Sequence, residues 1–293
     1  MANGVNSAGG GVEPIAVVGM ACRLPLGVDT PEALWEAFAR GDDAFRALGD
    51  GRAARDLAGA WGGRRAADFV AGAAFMDDVD EFDAPFFGLS NREARRVDPQ
   101  QRLLLEECWH ALEHAAIAPP SLRGSRAGVF VGLSSDDYAL LTYDRRRAEG
   151  LDVYSGTGTH RSMAAGRVAR SLGLTGPAVQ VDTACSSSLV AVHLACQSLR
   201  LGECELAIAA GAHLLLDPRS VIARGLLQAL APDGRCKPFS AAANGFGLGE
   251  GVVVFVLKAL GRALADGDPV AGVIRGSAVG HNGPGAGLTV PNP

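Results

Sequence analysis

The sequence predicts an α/β fold in which helices cover a buried sheet. Short apolar runs alternate along the chain with segments of helical periodicity, a pattern typical of this class. Of the 293 residues, 48% are hydrophobic and 20% are charged, close to the averages for a packed globular protein. The 39 glycines and the low aromatic content of 6% indicate closely approaching backbones and many tight turns.

The first elements are a strand and a helix. After a flexible leader at residues 1–12, the apolar run Ile15–Gly19 predicts a buried strand. Residues Thr30–Phe38 predict a helix with Thr30 as its N-cap, followed by a proline at the first helical position. Residues 44–75 are rich in Gly, Ala and Arg without firm periodicity, so we expect an irregular surface excursion there.

Helices and strands alternate through the rest of the chain. Helices are predicted at Asp98–Ile117, Ser162–Leu172, Ser186–Leu201, Arg219–Leu230 and Lys258–Ala265. Strands are predicted at Gly128–Gly132, Ala178–Val181, Glu205–His213, Val252–Leu257 and Val270–Val279.

Charge, targeting signals and cysteine spacing exclude several classes of protein. The formal net charge is −5, from 27 basic and 32 acidic residues without a long run of either sign. The sequence therefore gives no sign of a basic patch that would bind nucleic acid or an anionic membrane. The sequence has neither an uninterrupted apolar window for a membrane span nor a signal peptide, and we expect a cytoplasmic protein. The 6 cysteines form no C-x-x-C pair and no zinc spacing, so we expect them to be reduced.

Residues 110–114 match the H-x-x-E-H pattern of some zinc peptidases. On the predicted helix, however, His110, Glu113 and His114 lie opposite the apolar arc, so both histidines should face solvent. The sequence offers no identifiable third ligand. We therefore interpret the match as a solvated polar face and expect no metal.

A second pattern, G-x-G-x-G-x-G, runs from Gly245 to Gly251. Glu250 occupies the position where a dinucleotide-binding turn needs glycine, and the run precedes a predicted strand instead of following one. A flexible or close-packed turn is the simpler interpretation. The sequence also lacks a P-loop, so we expect no directly bound cofactor.

The strongest chemical signal is the run Val179–Val190, in which a strand passes through small residues into a helix with Cys185 at the junction. A thiol at a helix N-terminus lies near the positive end of the helix dipole and near unpaired N–H groups, which favour a thiolate and can stabilise an oxyanion. The following helix is apolar nearly all round and predicted to be buried, with His193 and Cys196 as core residues. Cys185 is the candidate nucleophile.

The segment Asp182–Ser188 and the helix after it resemble the active-site segment of β-ketoacyl synthases, particularly those of modular polyketide synthases. Other stretches resemble family motifs in the same order, and the resemblance spans about residues 13–293. They are Ile15–Pro25, Phe86–Ser90, Asp98–Glu106, Ala164–Arg167, Gly245–Gly251 and Gly287–Asn292.

The resemblance implies a thiolase-like layered α/β/α/β/α fold built from two similar halves. On this basis residues 13–249 form a complete N-terminal half and residues 250–293 only begin the C-terminal half. Cys185 would accept an acyl chain from the phosphopantetheine arm of an acyl carrier protein, with its own backbone N–H as an oxyanion donor. A malonyl-type unit on a second carrier would then condense with the acyl chain. Loading domains of the family that only decarboxylate often carry Gln at this position, so Cys185 favours acyl transfer.

The resemblance also implies two histidines from the family's second half, in segments that follow residue 293 in the family order. None of His110, His114, His160, His193, His213 and His281 lies in such a segment. We therefore expect the 293 residues alone not to catalyse condensation. Smaller departures are Thr159-His160 before the Ala-Ala-Gly-Arg motif, Asn244 where Asp is usual, and His281 where Asn or Gln is common.

Two hypotheses follow. The first is an acyltransferase of the β-ketoacyl synthase type that works as a homodimer, with acyl and malonyl-type thioesters as substrates. The second is an assembly partner without catalysis, similar to a chain-length-factor subunit. Cys185 favours the first, because a purely structural partner has little need of a reactive thiol.

Overall fold

A mixed sheet of six strands forms the centre of the computed structural model, which describes residues 12–144, 150–284 and 287. Of the predicted leader only Val12 is described. Together with the strands of two smaller sheets, the strands in the described residues are β1 (Ile15–Arg23), β2 (Phe45–Ala47), β3 (Ala60–Trp61), β4 (Arg64–Arg65), β5 (Gly72–Ala74), β6 (Gly128–Gly132), β7 (Ala178–Val181), β8 (Ala207–His213), β9 (Gly251–Ala259) and β10 (Gly272–Ile274).

The order in the large sheet is β10-β1-β9-β8-β6-β7. Strand β6 runs parallel to both β7 and β8, whereas β8, β9, β1 and β10 pair antiparallel in that order. The helices are α1 (Pro31–Arg40), α2 (Gly51–Asp56), α3 (Asn91–Ala94), α4 (Pro99–His114), α5 (Asp137–Thr142), α6 (Ser155–Thr159), α7 (Met163–Leu172), α8 (Ser187–Arg200), α9 (Pro218–Leu226) and α10 (Leu260–Asp266).

Helices cover both faces of this sheet. On one face α4 and α7 bury their apolar sides against the strands, with Leu104, Leu112 and Val168 in one core cluster. On the other face α8 packs Ala191 and Ala195 against the sheet in a separate cluster. The predicted layered α/β architecture is confirmed. No helix in the described part of the chain has the length and apolar character needed to cross a bilayer.

Several predicted elements are observed with their predicted ends. Strands β6 and β7 have the predicted bounds. Thr30 caps α1 as predicted, because its Oγ1 accepts a hydrogen bond of 3.1 Å from the N–H of Ala33. Three short helices, α3, α5 and α6, were not predicted, since four to six residues are too few to show helical periodicity.

Strand β9 corrects the predicted division of the chain. The sequence assigned Val252–Leu257 to the start of a second half, but β9 lies between β1 and β8 in the sheet of the first. Val252, Val254, Val256 and Leu257 are fully buried there. A division at 249/250 would therefore remove a central strand. The strand predicted at Val270–Val279 is observed only as the three residues of β10.

Residues 44–75 are not the irregular surface excursion that was predicted. They form two small antiparallel sheets, β2 with β5 and β3 with β4, together with α2. Apolar residues of this segment, among them Leu57, Val70 and Phe75, pack against Leu215 and Val221 in a third core cluster. The elements escaped prediction because each is only two to six residues long, which is too short to show a periodicity.

The buried N-cap of α4 makes the stability of the fold depend on pH. Asp98 Oδ1 accepts a 2.8 Å hydrogen bond from the N–H of Gln100, and burial raises the pKa of Asp98 to about 7. Between about pH 4 and pH 7 the carboxyl group of Asp98 is therefore deprotonated in the unfolded chain but still protonated in the folded chain. Stability should fall as pH rises through this window and change no further above it.

Asp98→Asn removes the titration and keeps an amide oxygen for the cap. We expect the free energy of unfolding of the variant, relative to wild type, to increase by a few kcal/mol from pH 4 to pH 8, at about 1.4 kcal/mol per pKa unit. Urea unfolding at several pH values measures this difference. Asp50→Asn is the control, because Asp50 is the N-cap of α2 but makes no side-chain cap bond. A difference between Asp98→Asn and wild type that stays constant with pH would contradict the assignment.

Candidate active site

Cys185 lies in a sharp turn between β7 and α8. The turn reverses at Ala184, which has a left-handed backbone with φ of 56°, and a non-glycine residue in this region is uncommon. Cys185 follows directly, is exposed, and precedes the N-terminus of α8. The strand–turn–helix arrangement predicted around the thiol is observed.

Side chains of the turn fix its backbone. Ser187 Oγ accepts a hydrogen bond of 2.9 Å from the N–H of Thr183 and donates one of 2.6 Å to the carbonyl of Ala184. Ser186 Oγ lies 2.9 Å from both the carbonyl and Oγ1 of Thr183. The serines that follow the cysteine therefore hold the turn.

Two glycines of the sheet allow the N-terminus of α8 to approach it closely. A Cβ on Gly132, at the end of β6, would lie 2.4 Å from backbone atoms of Ser187 and Ser188. A Cβ on Gly211 of β8 would lie 2.6 Å from Cβ of Ser188. Any larger residue at either position would push the first turn of α8, and the thiol before it, away from the sheet.

An ion-pair network fixes the residue that enters the turn. Asp182 accepts a 3.0 Å hydrogen bond from the N–H of Ala184 and pairs with Arg161. Arg161 also pairs with Asp136 at 2.8 Å and donates to the carbonyl of Ser134 at 3.1 Å. The N–H of Ala184 and the guanidinium of Arg161 hold the pKa of Asp182 below its usual range. The carboxylate is thus ionised at neutral pH and supports the strained turn.

Cys185 opens into a cavity of about 810 Å³. One wall is apolar, from residues of α8 and β9 and from the loop before β9; it consists of Leu189, Val192, Phe246, Val253 and Phe255. The prediction that α8 is buried all round is wrong on this side, because Leu189 is 73% exposed. The exposed side of α8 faces the cavity beside the thiol.

Two polar side chains, His213 and Arg224, also line the cavity. His213 is the last residue of β8 and lies on the same face as Gly211, since side chains two apart on a strand point the same way. Arg224 reaches the cavity from α9. Burial, together with the charge of Arg224, lowers the pKa of His213 to about 4, so the imidazole is neutral at neutral pH. Neither residue was assigned to the site from the sequence, because the folded chain decides which side chains of β8 and α9 line the cavity.

The H-x-x-E-H residues lie on the surface of α4, along a different cavity of about 850 Å³. His110 and His114 are exposed, as predicted. His110 Nδ1 is 3.5 Å from Glu107, His114 Nε2 is 3.8 Å from Glu32, and Glu113 accepts a hydrogen bond from the indole of Trp109. Among residues 12–144, 150–284 and 287, no three metal-ligating side chains form a cluster.

The glycine run before β9 is closely packed, but it forms isolated bridges at Phe246 and Gly249 and is not the turn that was predicted. A Cβ on Gly247 would lie 2.2 Å from the carbonyl oxygen of Gly234. Glu250 is fully buried and accepts hydrogen bonds from the backbone N–H groups of Met76 and Leu215. It also pairs with Arg52.

Three other histidines lie outside the Cys185 cavity. His160 is exposed, and His281 Nδ1 accepts a 2.9 Å hydrogen bond from the N–H of Gly283. His193 was predicted to be a core residue, but it is only half-buried and its Nδ1 is 2.8 Å from Ser277 Oγ. Cys196, on the same helix, is fully buried as predicted.

Residues 12–263 match a family model described as the N-terminal domain of β-ketoacyl synthase. The chain belongs to the β-ketoacyl synthase family. It is 50% identical over 283 residues to the spectinabilin polyketide synthase system protein NorC of Streptomyces orinoci, with 96% of this chain and 12% of that protein covered. It is also 46% identical over 290 residues to the mycocerosic acid synthase-like polyketide synthase of Mycolicibacterium smegmatis, covering 96% of this chain and 13% of that protein.

Solved ketosynthases share the fold. The ketosynthase from module 6 of the bacillaene synthase of Bacillus subtilis 168 superposes with a TM-score of 0.82 at 34% identity, covering 95% of this chain and 46% of that chain. The oxazolomycin ketosynthase domain OzmH KS7 of Streptomyces albus JA3453 gives a TM-score of 0.84 at 35% identity, covering 95% and 49%. The chain therefore spans about half the length of these ketosynthases, and its thiolase-like fold is confirmed.

One departure from the usual ketosynthase pattern has a local structural role. Asn244, where Asp is usual, accepts a 2.8 Å hydrogen bond from Nζ of Lys237. The same ammonium group pairs with Asp233 at 2.8 Å. Asparagine thus keeps the contact to Lys237 without contributing a second charge. The motif Gly287–Asn292 lies outside the described residues apart from Gly287.

Proposed function

We propose that Cys185 is the acyl acceptor of a polyketide β-ketoacyl synthase. The observation that carries the proposal is an exposed thiol held in a strained strand–helix turn at the mouth of a cavity of about 810 Å³. The homologous proteins are polyketide synthases and ketosynthase domains, and the family resemblance implies a reaction that begins with an acyl thioester. An assembly partner without chemistry would not require this arrangement.

In the first step the Cys185 thiolate attacks the carbonyl carbon of an acyl chain carried on the phosphopantetheine arm of an acyl carrier protein. The negative charge on the carbonyl oxygen is stabilised by N–H groups at the N-terminus of α8, with that of Cys185 first among them. The carbon–sulfur bond to the arm then breaks, and the arm leaves as a thiol after taking up a proton. The acyl group remains on Cys185 as a thioester.

In the second step a malonyl-type unit on a carrier protein loses carbon dioxide, and its carbon attacks the acyl carbonyl on Cys185. A carbon–carbon bond forms, the Cys185 thiolate is released, and the β-ketoacyl product stays on the carrier. We assign no residue of this chain to the decarboxylation. The apolar wall formed by Leu189, Val192 and Phe255 suits the hydrocarbon part of the acyl chain.

The partners follow from the same proposal. An acyl carrier protein delivers both thioesters, and two copies of the chain associate as a homodimer in the cytoplasm. In support of the dimer, β7 is the edge strand of the sheet and leads directly into the Cys185 turn. Pairing of two β7 strands would cover an edge that otherwise promotes aggregation.

The test is to load the full-length protein, expressed from its own gene, with hexanoyl-pantetheine. Peptide mass mapping should find a hydroxylamine-sensitive acyl group on Cys185 in wild type and in the matched control Cys236→Ala. Cys236 is the other exposed thiol among the described cysteines. Loss of the acyl group is expected in Cys185→Ala. Acylation that persists in Cys185→Ala would overturn the proposal.

A further inference from the structure

The Cys185 cavity contains one positive charge that no carboxylate of the described chain neutralises. Arg224 is half-buried, and its Nη1 donates a 3.0 Å hydrogen bond to the carbonyl of Ser220, one turn earlier on α9. Within residues 12–144, 150–284 and 287 it makes no ion pair. The two carboxylates that line the cavity are engaged elsewhere, Asp182 with Arg161 and Glu250 with Arg52.

His213 adds a second polar group to the lining of the same cavity. Its ring is neutral at neutral pH, so one ring nitrogen donates a hydrogen bond and the other accepts one. Both side chains line the same cavity, so both can contact a ligand that fills it. Together they add hydrogen-bond donors to a cavity whose other wall is apolar.

An all-carbon acyl chain that fills this cavity would displace water from the Arg224 guanidinium without supplying a hydrogen-bond acceptor in its place. A buried donor left without a partner is costly, and a site built to hydrogen-bond an oxygen rejects analogues that lack it. An oxygen on the acyl chain would accept hydrogen bonds from Arg224 and His213 in place of water. The cavity therefore favours chains that are apolar along one side and oxygenated at one position.

We propose that Arg224 and His213 are specificity-determining residues that select acyl chains carrying a hydrogen-bond-accepting oxygen over plain alkyl chains of the same length. This inference rests on the proposed role of Cys185 as the acyl acceptor. A hydroxyl, a keto or a carboxylate oxygen has the required chemistry. The carboxylate should bind best, since its hydrogen bonds to Arg224 join two full charges.

Equilibrium binding tests the selection without the transfer step. Full-length protein with Cys185→Ala is titrated calorimetrically with the hexanoyl, hydroxyhexanoyl, oxohexanoyl and hexanedioyl thioesters of pantetheine. We expect each oxygenated thioester to bind about tenfold more tightly than the hexanoyl thioester, with the hexanedioyl thioester tightest. Adding Arg224→Met should abolish the preference for the carboxylate, and Arg224→Lys should retain part of it.

Two further variants test whether the preference for oxygenated chains depends on the cavity residues or on the loss of any arginine. Arg170→Met, at an exposed arginine on α7 away from the cavity, should keep the full preference. His213→Leu should weaken the preference for the hydroxyl and keto chains. Equal affinities for oxygenated and hexanoyl thioesters, or a preference that Arg224→Met leaves intact, would overturn the inference.

Loading of wild type with the same four thioesters keeps the two proposals distinguishable. If Cys185 is never acylated but the binding preference depends on Arg224, the acyl-acceptor role fails and the selection stands. If Cys185 is acylated at equal rates by all four thioesters and their affinities are equal, the selection fails and the acyl-acceptor role stands.

Discussion

Cys185 is expected to react with iodoacetamide at least about tenfold faster than any other thiol of the protein near neutral pH. Cys22, Cys108, Cys196 and Cys204 are buried, and burial raises the pKa of each, that of Cys22 to about 11. Cys185 is exposed beside the N-terminus of a helix of 14 residues, a placement typical of reactive thiols.

The informative comparison is with Cys236, which is also exposed. Its Sγ accepts a 3.2 Å hydrogen bond from the N–H of Gly247, but it lies in a loop without a helix terminus. Quenched time courses followed by peptide mass mapping give the rate at each cysteine. Cys236→Ser should leave the rate at Cys185 unchanged. Faster labelling of Cys236 or Cys204 than of Cys185 would contradict the assignment of the nucleophile.

Glu250→Ala is expected to destabilise the fold by about 3–5 kcal/mol, the usual cost of breaking a buried ion pair by removing one partner. Glu250 and Arg52 have side chains that are 0% and 6% exposed. The same carboxylate accepts 2.8 Å and 2.7 Å hydrogen bonds from the N–H groups of Met76 and Leu215. Alanine would leave one guanidinium and two backbone donors without this partner.

The free energy of unfolding from urea denaturation measures the effect. Glu250→Gln keeps an oxygen acceptor without the charge, so its loss should be smaller than that of alanine. Glu36→Ala is the control for an exposed pair, since Glu36 and Arg40 are 69% and 59% exposed, and it should change stability by less than about 1 kcal/mol. A Glu250→Ala protein as stable as the control variant would show that the pair is not structural.

Local patterns in the sequence predicted those features of the structure that depend on residues close together in the chain. The cap of α1 at Thr30, the bounds of β6 and β7 and the turn at Cys185 depend on residues close in the chain, and the structure has each of them. The exposed face of α8 was missed because the helix is apolar on every side. Periodicity then cannot show which side lines a cavity, and Leu189, on a helix predicted to be buried, is exposed.

Contacts between remote segments could not be predicted in this way. The central position of β9 depends on its pairing with β1 and β8. An apolar run in the sequence does not show which strand it will pair with. His213 and Arg224 lie on consecutive elements, but that both line the cavity depends on how β8 and α9 are placed in the fold. The polar lining of the candidate site could therefore not be predicted from the sequence, whereas the candidate nucleophile Cys185 was indicated by its neighbours in the chain.

The pairing of β1 with β9 has a consequence for synthesis of the chain. Ile15 pairs with Ala259, so the ribosome must add 244 residues after the first of them before the two can meet. At about 5–20 residues per second, this interval is roughly 10–50 seconds. During that time β1 has neither of its neighbours in the sheet, since β10 is made later still. The nascent chain must keep an apolar strand from aggregating until its partner emerges, which makes this early strand a natural client for chaperones.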